Sequence, residues 1–310
     1  MHLKRREFVK TCAYTGMAMQ SGSLFSRNAS AADGPKMCIA RYGSPSAEEA
    51  KIKEEAEKLT RSIVEAMGGM KRFVSSGDVV WVKPNIGWNR RPEQAANTNP
   101  DVIATLVKLC KEAGASEIIV GDNTCNPARQ TYARSGIQQA AEEAGANVVF
   151  LDKRKYKKYS LDGKVLKEWE LYRDIVRADK FINVPIAKHH RLSEATLGMK
   201  NLMGIIGGNR GQYHQDIRNT LADLSAFIKP DLTIVDGIRV LLRNGPVGGN
   251  LEDVKRQDTL VAGTDQVAVD AFAATLLGRK PEEISHIVEA DIRGLGTIDY
   301  KSLNPKEITV

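Results

Sequence analysis

The chain has 310 residues, with 45 Lys and Arg against 38 Asp and Glu, 42% hydrophobic residues and 6% aromatic ones. That is enough chain for one large domain or two small ones with a sizeable core; it is too apolar for a disordered protein and too poor in long apolar runs for a membrane-embedded one. The net charge of +7 does not mark a nucleic-acid binder, because residues 1–31 carry five basic side chains against Glu7 and leave +3 on the other 279.

The first element is a leader. Arg5 and Arg6 lie in KRREFVK, followed by a weakly apolar run from Thr11 to Met19 and the small-residue pattern Ala29-Ser30-Ala31. This order matches a twin-arginine export signal over 1–31, with an N-terminal amphipathic helix or retained anchor as the alternative. The expected location is the periplasm or another exported compartment, the expected partner is the export machinery, and no membrane span is expected in the mature chain.

After the leader, a short strand is expected at Met37 to Arg41, then a helix over Ala47 to Met67 ended by Gly68-Gly69. The strand DVVWV precedes a helix from Pro100 to Ala113, and the strand EIIVG precedes one long helix from Ala128 to Ala144. NVVFL follows as a strand. The basic run Asp152 to Ser160 and the Asp162-Gly163 pair then predict a solvated hairpin. KFINVPI resumes the strand pattern. Helical segments are expected over Glu194 to Met203 and His214 to Ile228, then strands LTIVD and TLVAG, a helix from Gln266 to Leu277 and a last one near Pro281. Strands alternating with Gly-terminated helices predict an α/β fold: a mostly parallel sheet with helices on both faces and an inserted β-hairpin or small lobe. One α/β domain over 32–310 accounts for this pattern.

Four apolar runs empty into polar groups: DVVWV into Lys83 and Asn85, EIIVG into Asp122 and Asn123, KFINVPI into Lys188, His189 and His190, and LTIVD at Asp236. Ligands bind outside the carboxyl ends of strands in open α/β sheets, so Lys83, Asp122, His190 and Asp236 are expected to share one site. MGIIGGNRGQYH lacks the usual phosphate-loop spacings, yet its glycines could present amides to an anion flanked by Arg210 and His214. Two imidazoles, His190 and His214, with Asp122 or Asp236 would suit a divalent transition metal. The equal alternative is a hydrogen-bonded structural network. Thr196 and Lys200, four apart, would share a helical face able to hold a carboxylate or phosphate; a buried Lys200 would instead be a base or Schiff-base nucleophile. Cys38, Cys110 and Cys125 remain beyond the leader, too scattered for an iron–sulfur ligand run.

The segments VKPNIGW, IIVGDNT, NVPIAKHHRLSEATLGMKNLMG, TIVDGIRVLLRNGP and VAGTDQVAVDAFAATLLG together resemble the family of domains of unknown function numbered 362, in its exported twin-arginine branch. The resemblance is concentrated in 78–278. It implies an α/β domain whose polar positions fall on Lys83, Asn85, Asp122, Lys188, His190, Thr196, Lys200, Asn201, Asp236, Asn244, Asp265 and Asp270. Some relatives carry iron–sulfur modules, and this chain departs from them in having no iron–sulfur cysteine motif. Asp265 is read as a helix cap.

Two function classes follow. One is an exported metal-dependent enzyme acting on a small anionic substrate, with His190 and Lys200 catalytic and Lys83, Asn85, Asn123, Lys188, Thr196, Asn201, Arg210 and Asn244 binding the ligand. The other is a non-catalytic ligand-binding or redox-partner module.

Overall fold

A computed structural model describes residues 34–46, 48 and 51–310; the expected leader lies outside the described residues. In its first half, β1 (Met37–Arg41) leads through α1 (Ile52–Ala66) to β2 (Val79–Pro84), α2 (Pro100–Glu112) and β3 (Glu117–Val120). Two short helices, α3 (Ala128–Arg134) and α4 (Ile137–Ala144), precede β4 (Asn147–Val148). The hairpin is β5 (Tyr156–Ser160) with β6 (Glu168–Tyr172), after which α5 (Arg173–Arg177) returns the chain to the sheet. Then come β7 (Lys180–Val184), β8 (Ile186–His190), β9 (Glu194–Thr196) and α6 (Gly198–Asn201). The last part holds α7 (Ile217–Phe227), β10 (Leu232–Leu241), β11 (Val254–Gly263), α8 (Gln266–Leu276), α9 (Ser285–Ile292) and β12 (Lys306–Thr309).

The main sheet runs β12-β1-β11-β10-β7-β2-β3-β4, with β8 on β10 and β9 on β8. The β10-β7-β2-β3-β4 ladders are parallel, as is β1 with β12, whereas β11 is antiparallel to both neighbours. This is the expected α/β architecture with a separate antiparallel hairpin. Strand alternation explains the burial of both faces. Val80 and Val82 of β2 pack with Ile182, Ile234 and the apolar stripes of α1 and α2, while Trp81 faces Phe181, Tyr172 and Leu224 on the other side. Further along, Val235 and Val261 pack against α8 and α9.

Several expected elements differ. The single helix over Ala128 to Ala144 is interrupted at Gly136, whose φ of 73° turns the chain before α4. Pro185 divides KFINVPI, so Lys188, His189 and His190 belong to the following strand rather than to a loop. Glu194 to Met203 is not one helix. Thr196 lies in β9 opposite Lys188, so Thr196 and Lys200 do not share a helical face. β12, which no sequence pattern signalled, closes one sheet edge beside β1.

Candidate functional site

Parallel pairing of β2 with β3 and β7 sets the last residues of β2 beside the chain after β3. Lys83 Nζ therefore meets Asp122 Oδ1 at 2.8 Å, with both side chains buried, and also donates to the Pro84 carbonyl at 3.1 Å. Asp122 Oδ2 accepts from the Ile86 amide at 2.7 Å. Close passage of the glycine-rich segment completes the arrangement: a Cβ at Gly204 would overlap Asp122 Oδ1 and lie 2.6 Å from Lys83 Nζ. Burial pushes the Lys83 amine below the ordinary lysine range, and Asp122 opposes that shift.

Lys188 is 1% exposed and donates to Asn85 Oδ1 at 3.0 Å and to the Ala96 carbonyl at 2.6 Å. Asn85 in turn donates to Asn201 Oδ1 at 2.9 Å, and Asn201 donates to Asn183 Oδ1 at 2.9 Å. Asn183 was not among the expected site residues, although an amide inside the apolar run KFINVPI was the available signal. The same network fixes the short helix carrying Lys200: Asn183 donates to the Gly198 carbonyl, and buried Asp270 accepts from the Gly198 and Met199 amides at 2.6 and 2.8 Å.

Lys200 is different. It is 9% exposed, and among the described residues its amine has no hydrogen bond or ion pair. Burial lowers its pKa to about 8; the Cys125 side chain opposes the shift, and the cations Arg210 and Lys83 add to it. Burial likewise brings Lys188 down to about 7, helped by Lys200 and Lys83 against Cys125 and Asp122. Both folded-state values lie below the unfolded value, so the unfolded chain binds more protons and stability rises with pH. Between pH 7 and 9, unfolding free energy is expected to increase by about 3 kcal/mol from these two lysines, and Lys200→Met should flatten the slope. Urea unfolding across that window checks it.

Arg210 folds back with the glycine-rich segment and donates to the Asn123 and Thr124 carbonyls at 2.9 and 2.8 Å. Asn123 ties that segment down by donating to the Gly204 and Ile206 carbonyls. His214 thereby reaches His190, their rings nearly parallel with centroids 6.1 Å apart. The fold-back needed to join these two imidazoles is present. His190 Nδ1 accepts from the Leu192 and Ser193 amides at 3.1 and 3.3 Å. A ring nitrogen receiving two N–H groups carries no proton, so the neutral imidazole has its proton on Nε2. Burial, with Lys200 and Lys188 nearby, pushes its pKa down to about 2. His189 points the other way, as adjacent strand positions should, and accepts from the Gly245 amide.

Other expected members have partners of their own. Asp236 accepts from the Asn99 and Ile238 amides, and burial raises its pKa to about 6. It lies in the middle of β10 rather than at the expected strand end, and its carboxylate holds the start of α2 through the Asn99 amide. Thr196 is buried beside Lys188 on β9, while Asn244 is held by Asp253 in the loop after β10. Asp265 caps α8 through the Val267 and Ala268 amides.

Among the described residues no group of three or more His, Cys, Asp and Glu side chains is placed to hold a metal ion. The expected set of His190, His214, Asp122 and Asp236 does not fit one. Asp122 is occupied by Lys83 and Asp236 by backbone amides, and His190 would need its proton on Nδ1 to offer a metal its Nε2 lone pair. Cys38 and Cys110 are buried and free, and Cys125 is exposed and free. A hollow of about 440 Å³ lined by Arg41, Phe272, Tyr300 and Glu307 lies beside β1 and shares no residue with the lysine cluster.

The frame in which the sequence relationships are seen is an α/β sheet with buried lysines on β2, β8 and the short helix after β9. The chain belongs to the family described as domain of unknown function (DUF362), whose profile matches residues 80–275. It is similar to a thylakoid-associated protein of Synechocystis sp., 28% identical over 262 residues, covering 81% of this chain and 80% of that protein. It is also similar to the lactate racemase apoprotein from Thermoanaerobacterium thermosaccharolyticum, with 11% identity and a TM-score of 0.41. That likeness covers 81% of this chain, which spans 57% of the racemase chain. Among the described residues no helix is long and apolar enough to cross a membrane.

Proposed function

We propose that this protein is an enzyme acting on a small anionic substrate at the Lys83–Lys188–Lys200 cluster. The observation that carries the reading is the contrast among these three lysines. Two are bound to protein oxygens, while the third is nine-tenths buried with no partner for its amine. An amine that keeps a path to solvent and has no protein partner, set among fixed cations, is a group that a bound anion can contact directly. In this reading Lys200 contacts the substrate and exchanges a proton with it near neutral pH, as its pKa of about 8 suits. His190 contributes a neutral Nε2–H donor; Lys83, Lys188 and Arg210 supply positive potential, and Asn85 and Asn201 keep the amines in place. Calorimetric titration with acetate, lactate and inorganic phosphate tests the reading. Saturable binding of at least one of them, weakened about tenfold by Lys200→Met, supports it; no binding by any of the three overturns it.

The second reading, a non-catalytic ligand-binding or redox-partner module, draws on the hairpin. Lys157 and Lys158 are exposed on β5, although Lys158 pairs with Glu168. Ligand binding without chemical conversion of any bound anion would favour that reading.

Export is part of the proposal. It draws on Arg5-Arg6 and the small-residue pattern at Ala29-Ser30-Ala31, together with the thylakoid association of a relative. Arg5→Lys combined with Arg6→Lys is expected to leave the full-length chain in the cytoplasm, because lysine keeps the charge but not the planar guanidinium geometry. Cell fractionation reads this directly; unchanged export of a shortened chain would reject the twin-arginine route.

A further inference from the structure

We propose that the Lys200 amine is a nucleophile that condenses with the carbonyl carbon of a small oxo-carboxylate and holds it as a protonated imine. This deepens the reading above and rests on it.

Positive charge at the site is plentiful, but free donors are few. Lys83 is engaged by Asp122 and the Pro84 carbonyl, Lys188 by Asn85 and the Ala96 carbonyl, and both terminal nitrogens of Arg210 by the Asn123 and Thr124 carbonyls. Phosphate recognition uses several vacant N–H groups converging on one centre. Here the fixed cations create a field suited to a monoanion, and the groups left to make directed contacts are the Lys200 amine and the His190 Nε2–H. A carboxylate supplies the negative charge, and an adjacent carbonyl gives the amine an electrophilic carbon.

The amine is also rigidly presented. Its helix is fixed at the N-terminus by Asp270, and the neighbouring Asn201 is held by Asn85 and Asn183. The constraint acts on the backbone of Lys200 while leaving its nitrogen unbound. A lysine placed among other cations is a recognised way to keep a nucleophilic amine unprotonated. Arg210 and Lys83 are the cations acting on Lys200 here. In the step itself, the nitrogen lone pair forms the C–N bond and the carbonyl oxygen takes up the displaced π pair and a proton. Loss of that oxygen as water then leaves the protonated C=N. One amine, one carbonyl and one proton give one iminium and one water, with no oxidant or reductant.

The test uses the full chain with pyruvate as the carbonyl probe and lactate as its non-carbonyl counterpart. Sodium borohydride, added during incubation at pH 7.5 to 8, reduces any imine to a stable secondary amine, which intact-mass measurement and peptide mapping then locate. One reduced pyruvyl group per chain on Lys200 is expected, with about tenfold less adduct in Lys200→Arg. Because the mapping is done on the unmodified sequence, the assignment does not depend on the variant folding. Adduct on another lysine overturns it. Calorimetric binding of pyruvate or lactate with no borohydride-trapped adduct also overturns it while leaving the anion-binding reading intact. Failure of acetate, lactate, phosphate and pyruvate all to bind overturns both.

Discussion

Asp122→Ala is expected to destabilise the protein by about 3–5 kcal/mol at neutral pH. The carboxylate pairs with a fully buried ammonium at 2.8 Å and also accepts the Ile86 and Asn123 amides, so truncation leaves the ammonium with the Pro84 carbonyl alone and strands the Ile86 amide. Lys83 can relieve part of this by releasing its proton, which its already lowered pKa makes easier. The penalty should therefore shrink as pH is raised from 7 to 9. Adding Lys83→Met to Asp122→Ala removes the stranded cation and should recover a substantial part of the loss. Urea unfolding of the wild-type, single and double variants at both pH values measures each term. Equal stability of Asp122→Ala and wild type at pH 7 would contradict the buried pairing.

Lys200→Met is the opposite case. Methionine keeps much of the aliphatic stem and removes an amine that has no partner, so stability should hold within about 1 kcal/mol or rise. Turnover of the native substrate, once identified, should fall by about 10²–10⁴-fold, the range lost with a proton-transferring group. Unfolding and activity must be read on one preparation. Unchanged turnover in a folded Lys200→Met protein would remove Lys200 from the proposed mechanism.

Much of the architecture was legible because its periodicity is local. Apolar strands running into Lys83 and Asp122 and glycines at helix ends can be recognised without knowing which strands are neighbours, whereas β10 continues past Asp236 to Leu241. Pairing order is different information. β11 is antiparallel to β1 and β10, and β12 joins an edge after a long excursion, so neither orientation was visible from composition. The failed helix from Glu194 to Met203 has a similar origin. β8 recruits Glu194 to Thr196 as an antiparallel neighbour, and this non-local pairing outweighs the helical pattern.

The same distinction governs the candidate site. Lys83, Lys188 and His190 were visible as polar residues next to apolar runs, but whether a polar side chain is satisfied depends on residues far along the chain. Asp236 looked like a partner for His190 and instead caps amides at Asn99 and Ile238; Lys83 and Asp122, 39 positions apart, are joined by adjacent strand ends. The isolation of the Lys200 amine, on which the functional reading turns, is a property of the assembled network and has no local sequence signature.

Asp270 gives the most buried long helix among the described residues an unexpected influence. It sits within α8, which is packed almost entirely among core side chains, yet its carboxylate fixes the first amides of the helix that carries Lys200. A core substitution that displaces α8 is therefore transmitted to the amine through one carboxylate. Apolar exchanges such as Val→Ala at Val267 or Val269 are expected to leave a folded protein while shifting the helix that carries Lys200. Under the proposed function, mutational tolerance along this helix would then separate into two measurable traits, abundance and activity, with variation in the second arising away from the Lys200 amine itself.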